Sequence, residues 1–265
     1  MFQYKLPSNQ STSERKQLPR SQALISDLSE LESLKTWSLI VSLFGDLDPS
    51  CQFRLSGKAI NRILAHIGFK AEAVRVALHR LKKDGWVQTE KIGREVEYFL
   101  SDFGRAETAR VYDDIYSPSP KTARQWQMVL HNGSLEEGIR INRNLGLVAQ
   151  GQLQDHNDIL PIDLNQKILP SWLSEMIVPS EIMTVAQKLS QYTQGLCQSD
   201  FADNKSDQMA IRLLLLHHWR KLALRESTWA HIALFPDGPL AHCQRMIPKL
   251  LKDLPRPHPA HFLPN

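Results

Sequence analysis

The stretch that most restricts the fold is VRVALHRLKKDGWVQTEKIGREVEYFLS, residues 74–101, because its hydrophobic period changes midway. Val74, Ala77, Leu78 and Leu81 recur at i, i+3, i+4 and i+7, the stripe of a helix with one buried side. After Asp84-Gly85 the spacing drops to two, with Val87 and Thr89 on one arm and Val96, Tyr98 and Leu100 on another. Ile92-Gly93-Arg94-Glu95 between the arms predicts a hairpin turn in which Gly93 is free to take positive φ. A helix running straight into a hairpin leaves few topologies open.

Upstream, Leu24, Leu28, Leu31 and Leu34 begin a helical pattern that continues through Trp37, Ile40, Val41 and Phe44, with Gly45 placed to stop it. A short extended piece, 52–55, leads to Ser56, an N-cap for a helix over 57–66 with Ile60, Ile63 and Leu64 inward. A helix over about 102–115 follows the hairpin. Three helices and then a hairpin is the order of a winged helix-turn-helix, in which the second paired helix enters the major groove and the hairpin lies over the backbone or minor groove.

The polar residues suit that geometry. Opposite the apolar stripe stand Arg75, His79, Lys82 and Lys83. Arg75 is long enough to grip a guanine edge with two donors, and Lys82 to meet a phosphate. Lys58, Asn61 and Arg62 on the preceding helix, and Lys91 and Arg94 at the wing, add candidate backbone contacts, whereas Glu95 and Glu97 oppose them. Residues 54–105 hold eleven Lys or Arg against six Asp or Glu, an excess of five in a chain whose net charge is +4. A local basic excess on a near-neutral body points to a module facing a polyanion. By itself a basic face opposite an apolar stripe is commonly just solvated, and the adjoining wing is what separates the two readings.

The remainder divides at Ser117-Pro118-Ser119-Pro120. Beyond it the pattern predicts a strand over 125–131, a helix from the capping-box spacing Ser134-Leu135-Glu136-Glu137 to Gly146, and strands over 147–154 and 159–164. Helices are expected over 170–177, 180–194, 206–225 and 239–252, and the third, apolar on more than one face, should be buried. The expected class is α+β and mostly helical. Its parts are a flexible tail over 1–20, a winged helix-turn-helix over 21–117, a small ferredoxin-like α/β domain over 121–166 and a helical effector and dimerisation domain over 167–265.

Several function classes fit poorly. No apolar run is long enough to span a bilayer and the N-terminus lacks a secretory core, so a cytoplasmic protein without membrane attachment is expected. Cys51, Cys197 and Cys243 have no zinc or disulfide spacing. His217 and His218 are adjacent and so point to different faces of a helix; His242-Cys243 and His258 with His261 would complete a metal site only if folding gathered them. No phosphate loop, nucleophile elbow or metalloprotease helix is present. The central segment is similar to the ferredoxin-like fold of small CRISPR-associated nucleases, but its first strand ends Val129-Leu130-His131-Asn132 without a carboxylate, which argues against hydrolysis. Neither a cofactor nor an enzymatic activity is expected.

Three segments together, TWSLIVSLFGD (36–46), VRVALHRLKKDGWV (74–87) and IGREVEYFLSDFGRAE (92–107), resemble the PaaX family of bacterial repressors of phenylacetate catabolism. RLLLLHHWRKLALRES (212–227) is similar to that family's C-terminal motif. The resemblance implies a homodimeric transcriptional repressor of a catabolic operon. It implies binding to a palindromic double-stranded operator and release by a coenzyme A thioester such as phenylacetyl-CoA. Arg212, His217, Trp219 and Arg220, with Lys221, are candidate effector contacts, since they combine cations for phosphates with an aromatic surface; packing inside the C-terminal region is the alternative. The wing departs from the family pattern at Gly93-Arg94-Glu95, where two basic residues are more usual. The alternatives are a regulator sensing another small molecule or a metal, and a nucleic-acid-processing enzyme using the central domain.

Overall fold

The computed structural model describes residues 20–47, 53–118, 126–133, 135–136, 138–149, 158–162, 169–194, 196 and 204–256. The N-terminal tail expected over 1–20 lies outside them, apart from Arg20. In the winged segment the elements are α1 (Arg20–Glu30), α2 (Thr36–Asp46), β1 (Leu55–Ser56), α3 (Gly57–His66), α4 (Ala71–Lys83), β2 (Val87–Ile92), β3 (Glu95–Leu100) and α5 (Asp102–Tyr116). The single helix expected from Leu24 to Gly45 is two helices. The break at 31–35 lets the chain turn, and Glu32 within it pairs with His218 and Lys221. Gly45 lies inside α2, not at its end.

The other winged elements follow the sequence closely. Ser56 Oγ accepts the Ala59 amide at 3.2 Å and caps α3. α4 ends in a Schellman turn, with the Trp86 amide donating to Leu81 O at 2.9 Å and the Gly85 amide to Lys82 O at 3.2 Å. Gly85 takes φ +77, which an L side chain would resist, and that reversal aims the chain into β2. β2 and β3 pair antiparallel with Val87 opposite Leu100 and Ile92 opposite Glu95, and β1 adds to the other side of β3. Ser101 caps α5 and also donates to Gly85 O at 2.5 Å, closing the root of the wing.

The central segment differs from expectation. It is a four-stranded sheet of order β5-β6-β4-β7, from β4 (Trp126–His131), β5 (Ile139–Arg140), β6 (Leu145–Ala149) and β7 (Ile159–Ile162), with every pairing antiparallel. No helix occurs here among the described residues, so the helix expected from 134 to 146, and the ferredoxin-like arrangement that needed it, are not present. Gly138 takes φ +96, and a Cβ there would stand 2.2 Å from Leu147 O, so this position suits a tight return and not a helix. Ile139 then pairs with Leu147, and Asn142 Oδ1 accepts the amides of Asn144 and Leu145 in the turn between β5 and β6.

The C-terminal part holds α6 (Ser171–Ile177), α7 (Ser180–Thr193), α8 (Lys205–Ala223), α9 (Glu226–Leu234) and α10 (Pro239–Asp253). The helix expected over 206–225 ends at Ala223, and α9, which no local sequence signal announces, follows it after a two-residue turn. α8 is buried over most of its length and packs on α1, α2, α3 and α5 as well as on α7, α9 and α10. One continuous core therefore joins the winged segment to the C-terminal helices through α8. No described helix is long and apolar enough to cross a membrane.

Candidate nucleic-acid interface

α4 presents two chemically distinct sides. Val74, Ala77, Leu78 and Leu81 are almost wholly buried and hold the helix to α2, α3 and β2. Glu72, Arg75, Val76, His79, Arg80, Lys82 and Lys83 are exposed. Lys58 and Arg62 on α3 and Lys91 and Arg94 at the wing are exposed too, whereas Asn61 is half-buried and its Oδ1 has no hydrogen-bond partner. The expected cations thus lie on elements that pack together, with α3 against α4 and α4 running into the hairpin.

Carboxylates temper this surface unevenly. Arg75 donates to Glu72 at 2.7 Å, a pairing that raises the guanidinium's pKa, and Arg80 lies 3.4 Å from Asp84 while covering the Trp37 ring. Lys58 reaches Glu95 of the wing at 2.6 Å. Glu95 therefore acts chiefly by neutralising a cation of α3. Arg54 pairs with Glu90 and stacks over Phe99. Lys82 donates to Thr89 Oγ1 at 2.8 Å, which steadies its stem against β2 and leaves two of its three protons for another acceptor. Such exposed ion pairs contribute little to folding and exchange readily for contacts with a denser anionic surface.

The candidate effector residues divide between interior and cavity. Arg212 is 1 % exposed: Nε and Nη2 donate to Asp46 at 2.5 and 2.6 Å, while Nη1 donates to Leu254 O at 2.7 Å and to Leu251 O. Tyr116 adds its hydroxyl to Asp46 at 2.9 Å. Trp219 is buried and donates Nε1 to Ile115 O at 3.0 Å. Four of the five guanidinium N–H groups of Arg212 and the single indole N–H of Trp219 are taken up inside the protein, and both side chains act as cross-links from α8 to α2 and α5. Lys221 pairs with Glu32, whose carboxyl is held at about 2: burial works to raise it, but the hydrogen bonds from His218 and Lys221 outweigh that. Arg220 lines a cavity of about 570 Å³ between α2, α5, α8 and α9, and Arg212 borders a separate one beside Tyr116 and Leu254.

The sequence singled out the basic side chains of α8 but missed their acidic partners, Asp46 on α2 and Glu32 in the break between α1 and α2. Asp207, on α8 itself, is a further buried acid: it accepts Ser21 Oγ of α1 at 2.6 Å and lies 2.7 Å from His66 Nε2 of α3. A buried acid one turn from an apolar stripe was the available signal at Asp46.

His217 Nδ1 lies 3.1 Å from Ser42 Oγ, and burial pushes its pKa down to about 3 from the usual 6.5. The unfolded chain binds a proton there below about pH 6.5 and the folded chain does not, so stability falls as the medium acidifies through that window. At about pH 5.5 the loss from His217 alone is about 1 kcal/mol. His217→Gln should flatten the pH dependence by that amount in urea titrations. Parallel decline of variant and parent would assign the acid sensitivity elsewhere.

Among the described residues no three His, Cys, Asp or Glu side chains gather as a metal site requires. His258 and His261 lie outside the described residues, as do Cys51 and Cys197. Cys243 is buried, and burial pushes its thiol up to about 12.

Residues 35–104, from the start of α2 through the wing to the first turn of α5, match the family model described as PaaX-like protein. The chain is also 36% identical over 115 residues to the protein of Escherichia coli (strain K12) named transcriptional repressor PaaX. That similarity covers 43% of this chain and 36% of the relative, about a third of the relative's length. The likeness to PaaX-like proteins is thus carried by the winged segment.

Proposed function

We propose that the protein is a sequence-specific DNA-binding transcriptional repressor, a regulator and not an enzyme, that lays α4 in the major groove. The observation that carries this is the exposed face of α4, with Arg75, His79, Lys82 and Lys83 continuous with the wing, inside the segment that matches the family. Arg75 reads a guanine edge, and Val76, 59% exposed beside it, offers an apolar contact for a thymine methyl. Lys58, Arg62, Lys91 and Arg94 grip phosphates. Asn61 contributes less than the sequence suggested, because it is half-buried.

A homodimer on a palindromic operator follows from the same reading. Leu130 and Leu160 support it: they face each other across β4 and β7 and are 42% and 63% exposed, on a sheet whose β7 edge is free among the described residues. Release by a small-molecule effector completes the cycle. A coenzyme A thioester such as phenylacetyl-CoA is the class to test first, with the cytoplasm as the site of action.

Selection from a random duplex pool tests the core of the reading. An inverted repeat should be enriched, and its binding should weaken steeply with salt. Lys82→Ala should lower affinity for all duplexes about equally and reduce the slope of log affinity against log salt by about one unit. A pool from which no sequence emerges would overturn specific recognition, and an unchanged slope would remove Lys82 from the phosphate contacts.

A further inference from the structure

A cavity of about 570 Å³ lies where α2, α5, α8, α9 and the central sheet meet. Its walls are largely apolar and aromatic, including Trp86, Tyr116, Trp126 and Trp229. The size is that of a small-ligand pocket.

The polar groups in its lining are unusual. Arg220 is largely buried, and its partners are neutral oxygens: Ser42 Oγ at 3.0 Å, Ser38 Oγ at 2.9 Å and Ser38 O at 3.2 Å. Among the described residues no carboxylate pairs with it, and these bonds use only Nε and Nη2. Burial lowers the guanidinium to about 10, which still leaves it cationic at neutral pH. Arg212, about two turns of helix away, shows how the same helix treats a buried arginine with a structural task, giving it a bidentate carboxylate. A buried cation without a counter-ion is costly unless an anion joins it. Trp126 supplies a second unused group, since its indole Nε1 is buried without a hydrogen-bond partner.

The remaining charges limit what that anion can be. The lining holds Glu107, Asp114 and Glu226 against Arg110 and Arg220, and Arg110 is itself paired with Glu107 at 2.8 Å. A ligand placing several phosphates here would meet more acid than base. One negative charge on an apolar body meets one cation and aromatic walls.

We propose that this cavity binds a small hydrophobic monocarboxylate, its carboxylate on Arg220 and its body among the tryptophan and tyrosine rings. Occupancy would also bear on DNA, because Ser38 and Ser42 belong to α2, which packs directly on α4. This last step rests on the repressor reading, whereas binding itself does not.

The test uses the full-length protein without DNA, following tryptophan fluorescence and thermal unfolding. Octanoate and 3-phenylpropanoate should shift both signals in a saturable way, and 3-phenylpropanamide should bind about tenfold or more weakly, since it lacks the charge. Arg220→Gln should lose the preference for acid over amide. Arg220→Lys should keep part of it, and Trp126→Phe should weaken binding while preserving the preference, so the result does not hang on one variant's folding. Equal binding of acid and amide, no binding of either acid, or phenylacetyl-CoA binding at this cavity in preference to both acids would overturn the proposal. Adding the selected operator afterwards separates the two readings: carboxylate binding without any effect on DNA would remove the regulatory step and leave the site standing.

Discussion

Replacing Asp46 with alanine is expected to destabilise the protein by about 3–5 kcal/mol, because it strands a buried guanidinium. Asp46 and Arg212 are 0% and 1% exposed at their side chains, and the pair is bidentate. The pair as a whole need not favour folding, since desolvating two charges offsets much of their attraction. Removing one member is a different matter, because Arg212 keeps its place under Leu251 and Leu254 and has nothing to balance its charge. Tyr116 would lose an acceptor as well. Chemical denaturation of Asp46→Ala, Arg212→Met and the double variant checks this. The double variant should recover much of what Asp46→Ala loses. Additive losses would show that the two side chains contribute separately and not as a pair.

Arg75→Ala should weaken binding to the selected operator roughly 5- to 150-fold while leaving affinity for random duplex nearly unchanged. The Arg75–Glu72 contact does not compete seriously with the groove, because both side chains are well exposed and water screens the pair. Glu72 instead keeps the guanidinium raised along α4, near the place from which it would enter the groove. Fluorescence anisotropy with operator and scrambled duplexes reads the two effects separately. Equal loss on both would make Arg75 a phosphate contact, and no loss on either would mean that another face of α4 meets the DNA.

The winged segment was legible because its signals are local. A change of period at Asp84-Gly85, a serine before α3 and a glycine in the turn each act over a few residues, and the structure keeps all three. Failures came where a distant contact decides the outcome. The apolar series from Leu24 to Phe44 runs unbroken, so nothing nearby announces the break at 31–35 that Glu32 uses to reach α8. The capping-box spacing at 134–137 was equally local, yet pairing of Ile139 with Leu147 prevails over it. α9 is only nine residues long, with no side-chain cap, and left too short a pattern to separate from α8.

Site residues followed the same division. That the cations of α4 are exposed could be read from the stripe they oppose. On α8, however, sequence could supply only a set of cations and aromatic rings, with no indication of which faced inward. Arg212 and Arg220 stand eight residues apart and look interchangeable on paper. One is satisfied by Asp46, the other by serines alone, and that difference is visible only when α2 is laid beside them.

The position of α8 has a further consequence for how such proteins can diversify. A DNA-reading unit with its own closed core can be moved between proteins as a cassette. Here the cut at 117 would expose faces of α1, α2, α3 and α5 that α8 now covers. A recombination event that carried the winged segment alone would leave that seam open to water, so the winged segment and α8 must be inherited, and altered, together.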